Sequence, residues 1–318
     1  MFFKKIMVWM ILISILITIS SKNWFIWWLM MEINMMTFIP LMNYKNLQNC
    51  NSMITYFIIQ SFSSSIFFFS FIMQNINEIY LFNMMINLAI SIKLALVPFH
   101  YWLPMISEGL DNYPLFLILT LQKIIPLFIL SFTKNEMIIL LGLLSSFMGS
   151  VMAFNFKLIK KILIFSSIAH LGWITILIVM NSNFWLFYLI IYSLIIFKLV
   201  DFLIKKSTNL AEISKSFNMN ENITMFMTMM SLGGIPPFLG FFMKLIAIII
   251  ILEYSKMVML ILIMSSLINI FFYMRIIYLS FFLKMIFLKN FKTKNWMKSL
   301  FININTFMLL LLMNLMMQ

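Results

Sequence analysis

Apolar runs of about 17–25 residues, the length that carries an α-helix across a bilayer, follow one another along the whole chain with only short polar connections between them. Eleven such runs stand at 6–21, 23–42, 52–73, 80–98, 113–132, 137–154, 161–180, 184–204, 222–252, 256–283 and 299–317. The pattern predicts an all-α fold: a polytopic membrane helix bundle of about 11 transmembrane helices, with residues 1–318 forming one transmembrane domain. No tract is long enough for a soluble domain. The longest polar stretches, 205–220 and 284–298, are expected to be surface loops or interfacial helices.

Two runs are interrupted. Residues 97–104 read VPFHYWLP and 233–237 read GGIPP. Proline removes a backbone donor and clashes with the preceding turn. In lipid the carbonyls it frees need partners, so such a break survives only inside protein or beside a wet cavity. Discontinuous helices are therefore expected near 93–104 and 231–244. Lys93 precedes the first break and Lys244 follows the second. Paired broken helices in separate halves of a chain point to a transporter built from inverted repeats, with its path at mid-membrane.

Composition confirms the class and narrows the chemistry. With 64% hydrophobic residues, 10% charged and a mean hydropathy of +1.05, the chain has no surface to offer water as a soluble protein. Cys50 is the single cysteine, which excludes an internal disulfide and a cysteine-ligated zinc or iron–sulfur centre. The net charge of +13 would suggest nucleic acid in a soluble protein. Here most lysines lie between apolar runs: 14 on the side of the N-terminus against 3 (Lys22, Lys134, Lys256) on the other. That asymmetry predicts an N-terminus on the cytosol-equivalent side and no nucleic-acid partner. The opening Lys4-Lys5 and its apolar run are followed by no small-residue cleavage site, so they are expected to start the first helix rather than form a cleavable signal.

Six charges fall inside apolar runs: Glu32, Lys93, Lys123, Lys198, Asp201 and Lys244. Each costs about 2.5–3.5 kcal/mol near a helix centre, so a scaffold that only spanned the membrane would not carry them. Glu32 is too short to snorkel, and Lys123 sits mid-run, three residues before Pro126. These two, with Lys93 and Lys244, are the candidates for a proton or ion path. Lys198 and Asp201, three residues apart on one helix face, read instead as a local ion pair near the interface. His100 and His170 have three readings: proton relay, structural hydrogen bonding, or haem ligation.

The runs IKLALVPFHYWLP, LTLQKIIP, IKKILIFSSIAHLGW, SLGGIPPFLGFFMK and FFYMR, in this order along nearly the whole chain, closely resemble a family. It is the mitochondrially encoded, antiporter-like chain 2 family of NADH–ubiquinone oxidoreductase (respiratory complex I), which is related to cation/proton antiporters. The resemblance implies the animal form, eleven helices with the first three of the bacterial form lost, and an N-terminus on the matrix side of the mitochondrial inner membrane. It maps the family's glutamate to Glu32 and its lysines to Lys93, Lys123 and Lys244, with His100 and His170 as possible relays. Where the family has an acidic residue after the proline of the first break, this chain has Met105, and Glu108 lies one turn on. Lys198 and Asp201 have no counterpart.

The resemblance implies a proton-translocating subunit without a redox centre or bound cofactor of its own. FMN, iron–sulfur clusters and ubiquinone are expected in partner subunits. The expected partners are other membrane-arm subunits, including a neighbouring antiporter-like chain, and lipids such as cardiolipin. Two other functions fit the same residues: a free-standing cation/proton antiporter, and a purely structural membrane subunit.

Overall fold

The computed structural model describes residues 2–42, 47–73, 79–180, 182–204 and 219–285. The polar stretches around 205–218 and beyond 285, and with them the predicted run 299–317, lie outside the described residues. The described helices are α1 (Phe2–Ser20), α2 (Trp24–Phe38, continued by a 3-10 turn to Leu41), α3 (Leu47–Met73), α4 (Ile79–Leu94), α5 (Trp102–Ser107), α6 (Asn112–Leu119), α7 (Leu121–Leu130), α8 (Glu136–Asn155), α9 (Ile159–Val179), α10 (Phe184–Ile204), α11 (Met219–Gly233), α12 (Leu239–Leu252) and α13 (Lys256–Met285). Eight of the resulting spans are long and apolar enough to cross a membrane unaided; two more crossings are made from shorter pieces, α4 with α5 and α11 with α12. Ten of the eleven predicted crossings are thus seen within the described residues.

The ten crossings fall into two units of five. α1, α2, α3, α4/α5 and α6/α7 form the first; α8, α9, α10, α11/α12 and α13 form the second. Each is broken at its fourth crossing. Five is odd, so the second unit starts from the opposite face of the membrane and is inverted relative to the first.

Lipid-facing and buried positions separate as a bilayer demands. Phe2, Trp9, Leu47, Leu140, Met257 and many other large apolar side chains lie on the surface. α9 is the exception: it is buried on almost every side, with 94% of its spanning window inside the bundle. A helix apolar all round belongs in a core. Small residues seat it against α8. A Cβ on Gly172 would lie 2.5 Å from the Gly142 carbonyl oxygen, and one on Gly149 2.8 Å from the Ala169 amide nitrogen. Without a hydrophobic force between helices in lipid, such close backbone contact is what drives association. Gly172→Ala therefore forces α8 and α9 apart. Overpacking costs about 1–3 kcal/mol, and less subunit in the assembled complex on native electrophoresis is the expected result; wild-type yield would refute the account.

Candidate functional site: a polar chain across the bundle

At the first break α4 ends at Leu94, Ala95 takes φ 56°, and α5 starts at Trp102. The Trp102 indole N–H donates to the Ile92 carbonyl at 3.1 Å, which also accepts from the Ala95 N–H of the turn that ends α4. Lys93, in the last turn of α4, is 9% exposed and lines a cavity of about 10 Å³ with Asn34, Tyr56, Gln60 and Gln122. That is room for one water. A cation there also meets the negative end of α4. Glu32, on α2, is half-buried and accepts a hydrogen bond from the Ser64 hydroxyl of α3. It is coupled electrostatically to Lys93, although no ion pair within 4 Å joins the two. Glu32 and Lys93 thus act on each other across a gap.

From Lys93 the polar contacts lead to α7. The Tyr56 hydroxyl donates to Gln122 Oε1 at 3.3 Å, and Gln122 Nε2 donates to Asn34 Oδ1 at 3.0 Å. Lys123 follows Gln122. It is 6% exposed, its Nζ has no protein hydrogen-bond partner, and it stands 5.6 Å from the centroid of the Tyr192 ring. The chain breaks here too: Thr120, at φ −124° and ψ −79°, divides α6 from α7. The apolar run 113–132 predicts a continuous crossing, because Pro126 alone announces no break three residues ahead of Lys123. Pro126 instead lies inside α7.

His170, on the buried helix α9, is the next station. Its Nδ1 is 2.8 Å from the Tyr188 hydroxyl, its Nε2 has no protein partner, and it feels both Lys123 and Lys244 electrostatically. Tyr192 lies beside Ser167 and Tyr273 beside Ser166, yet neither phenol completes a hydrogen bond. Lys244 closes the series. It is 5% exposed and donates to the Gly233 carbonyl at 2.6 Å. Gly233 is the last residue of α11, so the ammonium caps a helix C-terminus whose carbonyls the break has released. Gly234 has φ +79°, and a Cβ there would lie 2.7 Å from Lys244 Cδ. The lysine stem lies where only glycine leaves room.

The structure therefore brings Lys93, Lys123, His170 and Lys244 into one polar chain, with Glu32 at its start. His100 is buried at the first break, its ring 4.2 Å from that of Tyr101, and neither ring nitrogen has a protein partner. Glu108, the displaced acid, pairs with Lys161 at 2.5 Å, and Lys160 donates to the Leu110 carbonyl. Both lysines sit in the first turn of α9 and hold the α5–α6 corner. Lys198 is exposed and Asp201 half-buried on α10. The sequence reading missed Asn34, Tyr56, Gln122, Tyr188, Tyr192 and Tyr273. The signal available was a tyrosine or carboxamide in an apolar run, which by itself is common.

Residues 70–269 match the family described as NADH:quinone oxidoreductase/Mrp antiporter, TM. A curated relative, NADH-ubiquinone oxidoreductase chain 2 of Rhipicephalus sanguineus, is 50% identical over 97% of this chain and 99% of its own length. The protein of the same name from Anopheles gambiae is 34% identical over 91% and 87%. Among solved structures, a chain of respiratory complex I from Thermus thermophilus aligns with a TM-score of 0.82 at 20% identity, covering 88% of this chain and 71% of that one. A chain of the Mrp complex from Dietzia sp. aligns with a TM-score of 0.78 at 16% identity over 86% and 59%. At those identities the two structures speak for the fold.

Proposed function

This chain belongs to the NADH:quinone oxidoreductase/Mrp antiporter family, in its NADH-ubiquinone oxidoreductase chain 2 branch, and from that premise we propose that its polar chain is the path by which the subunit moves protons. The protein is a proton-translocating membrane-arm subunit of respiratory complex I, an oxidoreductase. The observation that carries the path is the run from half-buried Glu32 through the buried side chains of Lys93, Lys123 and His170 to that of Lys244.

In this reading the lysines hold protons in turn. Burial disfavours an ammonium, while a nearby carboxylate favours it. A shift of Glu32 relative to Lys93 then changes which site keeps the proton. Gln122, Tyr192, Tyr188 and Tyr273, with water, bridge the lysines, and His170 relays at the centre. His100 serves the first break in the same way. The redox work belongs to partner subunits carrying FMN, iron–sulfur clusters and ubiquinone, and a neighbouring antiporter-like chain continues the membrane arm. The lysine-rich side, with the N-terminus, faces the matrix of the mitochondrial inner membrane and favours anionic lipid such as cardiolipin.

Glu32→Gln is the sharpest test. Glutamine keeps the shape and can still accept from Ser64, but it removes the charge that acts on Lys93. The assembled complex is expected to pump protons several-fold more slowly, because the carboxylate that favours the Lys93 ammonium is gone. Pumping at the wild-type rate, measured by a pH-sensitive dye in proteoliposomes, would remove Glu32 from the path.

A further inference from the structure

We propose that Asn269 holds an ordered water that extends the proton path from Tyr273 along α13 toward its Lys256 end. The inference rests on the proton-path reading above and adds a water-binding residue to it. Asn269 is 1% exposed, and neither its Oδ1 nor its Nδ2 has a protein partner. A carboxamide offers two donors and two acceptor sites, and buried groups of this kind in native proteins are satisfied by protein or by ordered water. Four residues along, on the same helix face, the Tyr273 hydroxyl is equally buried and equally without a partner. Two orphaned groups one turn apart make a polar niche with the multiple partners that a bound water requires.

Its place in the fold gives the niche a role. α13 is the fifth crossing of the second unit, the counterpart of α6/α7, which carries Lys123 in the first. Tyr273 lies beside Ser166 of α9 and packs on Gly233 at the second break, so it joins the chain at its Lys244 end. Asn269 is one turn nearer Lys256 than Tyr273. Ser265, buried a further turn on, spends its hydrogen on the Leu262 carbonyl and keeps its lone pairs free to accept. The water accepts a proton from the Tyr273 side as one of its own passes to the Ser265 oxygen, whose original hydrogen then leaves the Leu262 carbonyl toward the Lys256 end, so that each group ends with as many protons as it began with. The amide stays neutral throughout, which makes Asn269 a positioning residue.

Two measurements on the intact complex test this. A density map that resolves waters is expected to show one within about 2.7–3.2 Å of the Asn269 amide; an amide bonded to protein groups alone overturns the proposal. Asn269→Leu, of similar volume, is expected to slow proton pumping about ten-fold, less than the ~10²–10⁴-fold of a proton carrier itself, because the amide only positions the water. It should also raise the solvent deuterium isotope effect, while Asn269→Thr, which keeps a water-binding hydroxyl, restores most of the rate. Normal pumping in Asn269→Leu with slowed pumping in Lys123→Ala overturns the role of Asn269 and leaves the path standing. Normal pumping in both overturns the path itself. If Asn269→Leu does not assemble, the density at the amide decides.

Discussion

Replacing Lys123 with alanine is expected to leave the complex assembled and to lower proton pumping about 10²–10⁴-fold, the range that a positioned proton carrier contributes. Lys123 is 6% exposed and its Nζ makes no hydrogen bond to protein. Such a charge costs about 2.5–3.5 kcal/mol near a helix centre. Deleting it removes that cost, which offsets part of the penalty of about 2–5 kcal/mol for the cavity left by a large side chain. Stability is therefore a poor explanation for the lysine, and proton carriage is a good one. Lys123→Met separates the two further, since methionine fills most of the volume without a titratable group. Both variants are expected to fail alike in pumping. A methionine variant that pumps normally would show that the site needs bulk and not a proton.

The second large effect is expected at Gly240. In the first turn of α12 it meets the C-terminal end of α11 so closely that an added Cβ would overlap the Ser231 carbonyl oxygen. Both partners are backbone, so no rotamer relieves the clash. Gly240→Ala must push the half-helices apart, break the Lys244–Gly233 hydrogen bond and open the second break to lipid. Overpacking in well-packed cores costs about 1–3 kcal/mol and occasionally more; contact this short falls at the upper end. Little or no subunit should appear in the assembled complex on native electrophoresis. Normal assembly would mean that α11 and α12 do not meet as described.

The crossings were legible because membrane length and hydrophobicity are one-dimensional signals. The two breaks were legible because proline, joined at the second by glycine, acts on its own backbone. Lys93, Lys123 and Lys244 stood out for the same reason: an ammonium in an apolar run conflicts with its local surroundings wherever the fold takes it. The Thr120 break carried no such mark. Threonine is an ordinary helix residue, and its dihedral angles depend on what α6 and α7 pack against. Tyr192 and Tyr273 were equally silent, since a phenol becomes a relay only when another helix brings Ser166, Ser167 or His170 to it. Gly240 carries no mark of its own in the sequence, and only the crossing of two half-helices gives it a task. Lys160 and Lys161 read as loop charges marking a membrane side, whereas they anchor the α5–α6 corner.

The division into two five-crossing units, each broken at its fourth member, has a consequence for direction. A pseudo-two-fold axis in the membrane plane turns one unit's view of its own compartment into the other unit's view of the opposite compartment. A motion that lets solvent reach the fourth crossing of the first unit from one face has, by the same geometry, its mirror in the second unit from the other face. Vectorial transport then needs no separate inlet and outlet machinery: a single mechanical design, used twice and read once in each sense, supplies both ends of the journey, and the polar chain through α9 is where the two readings meet.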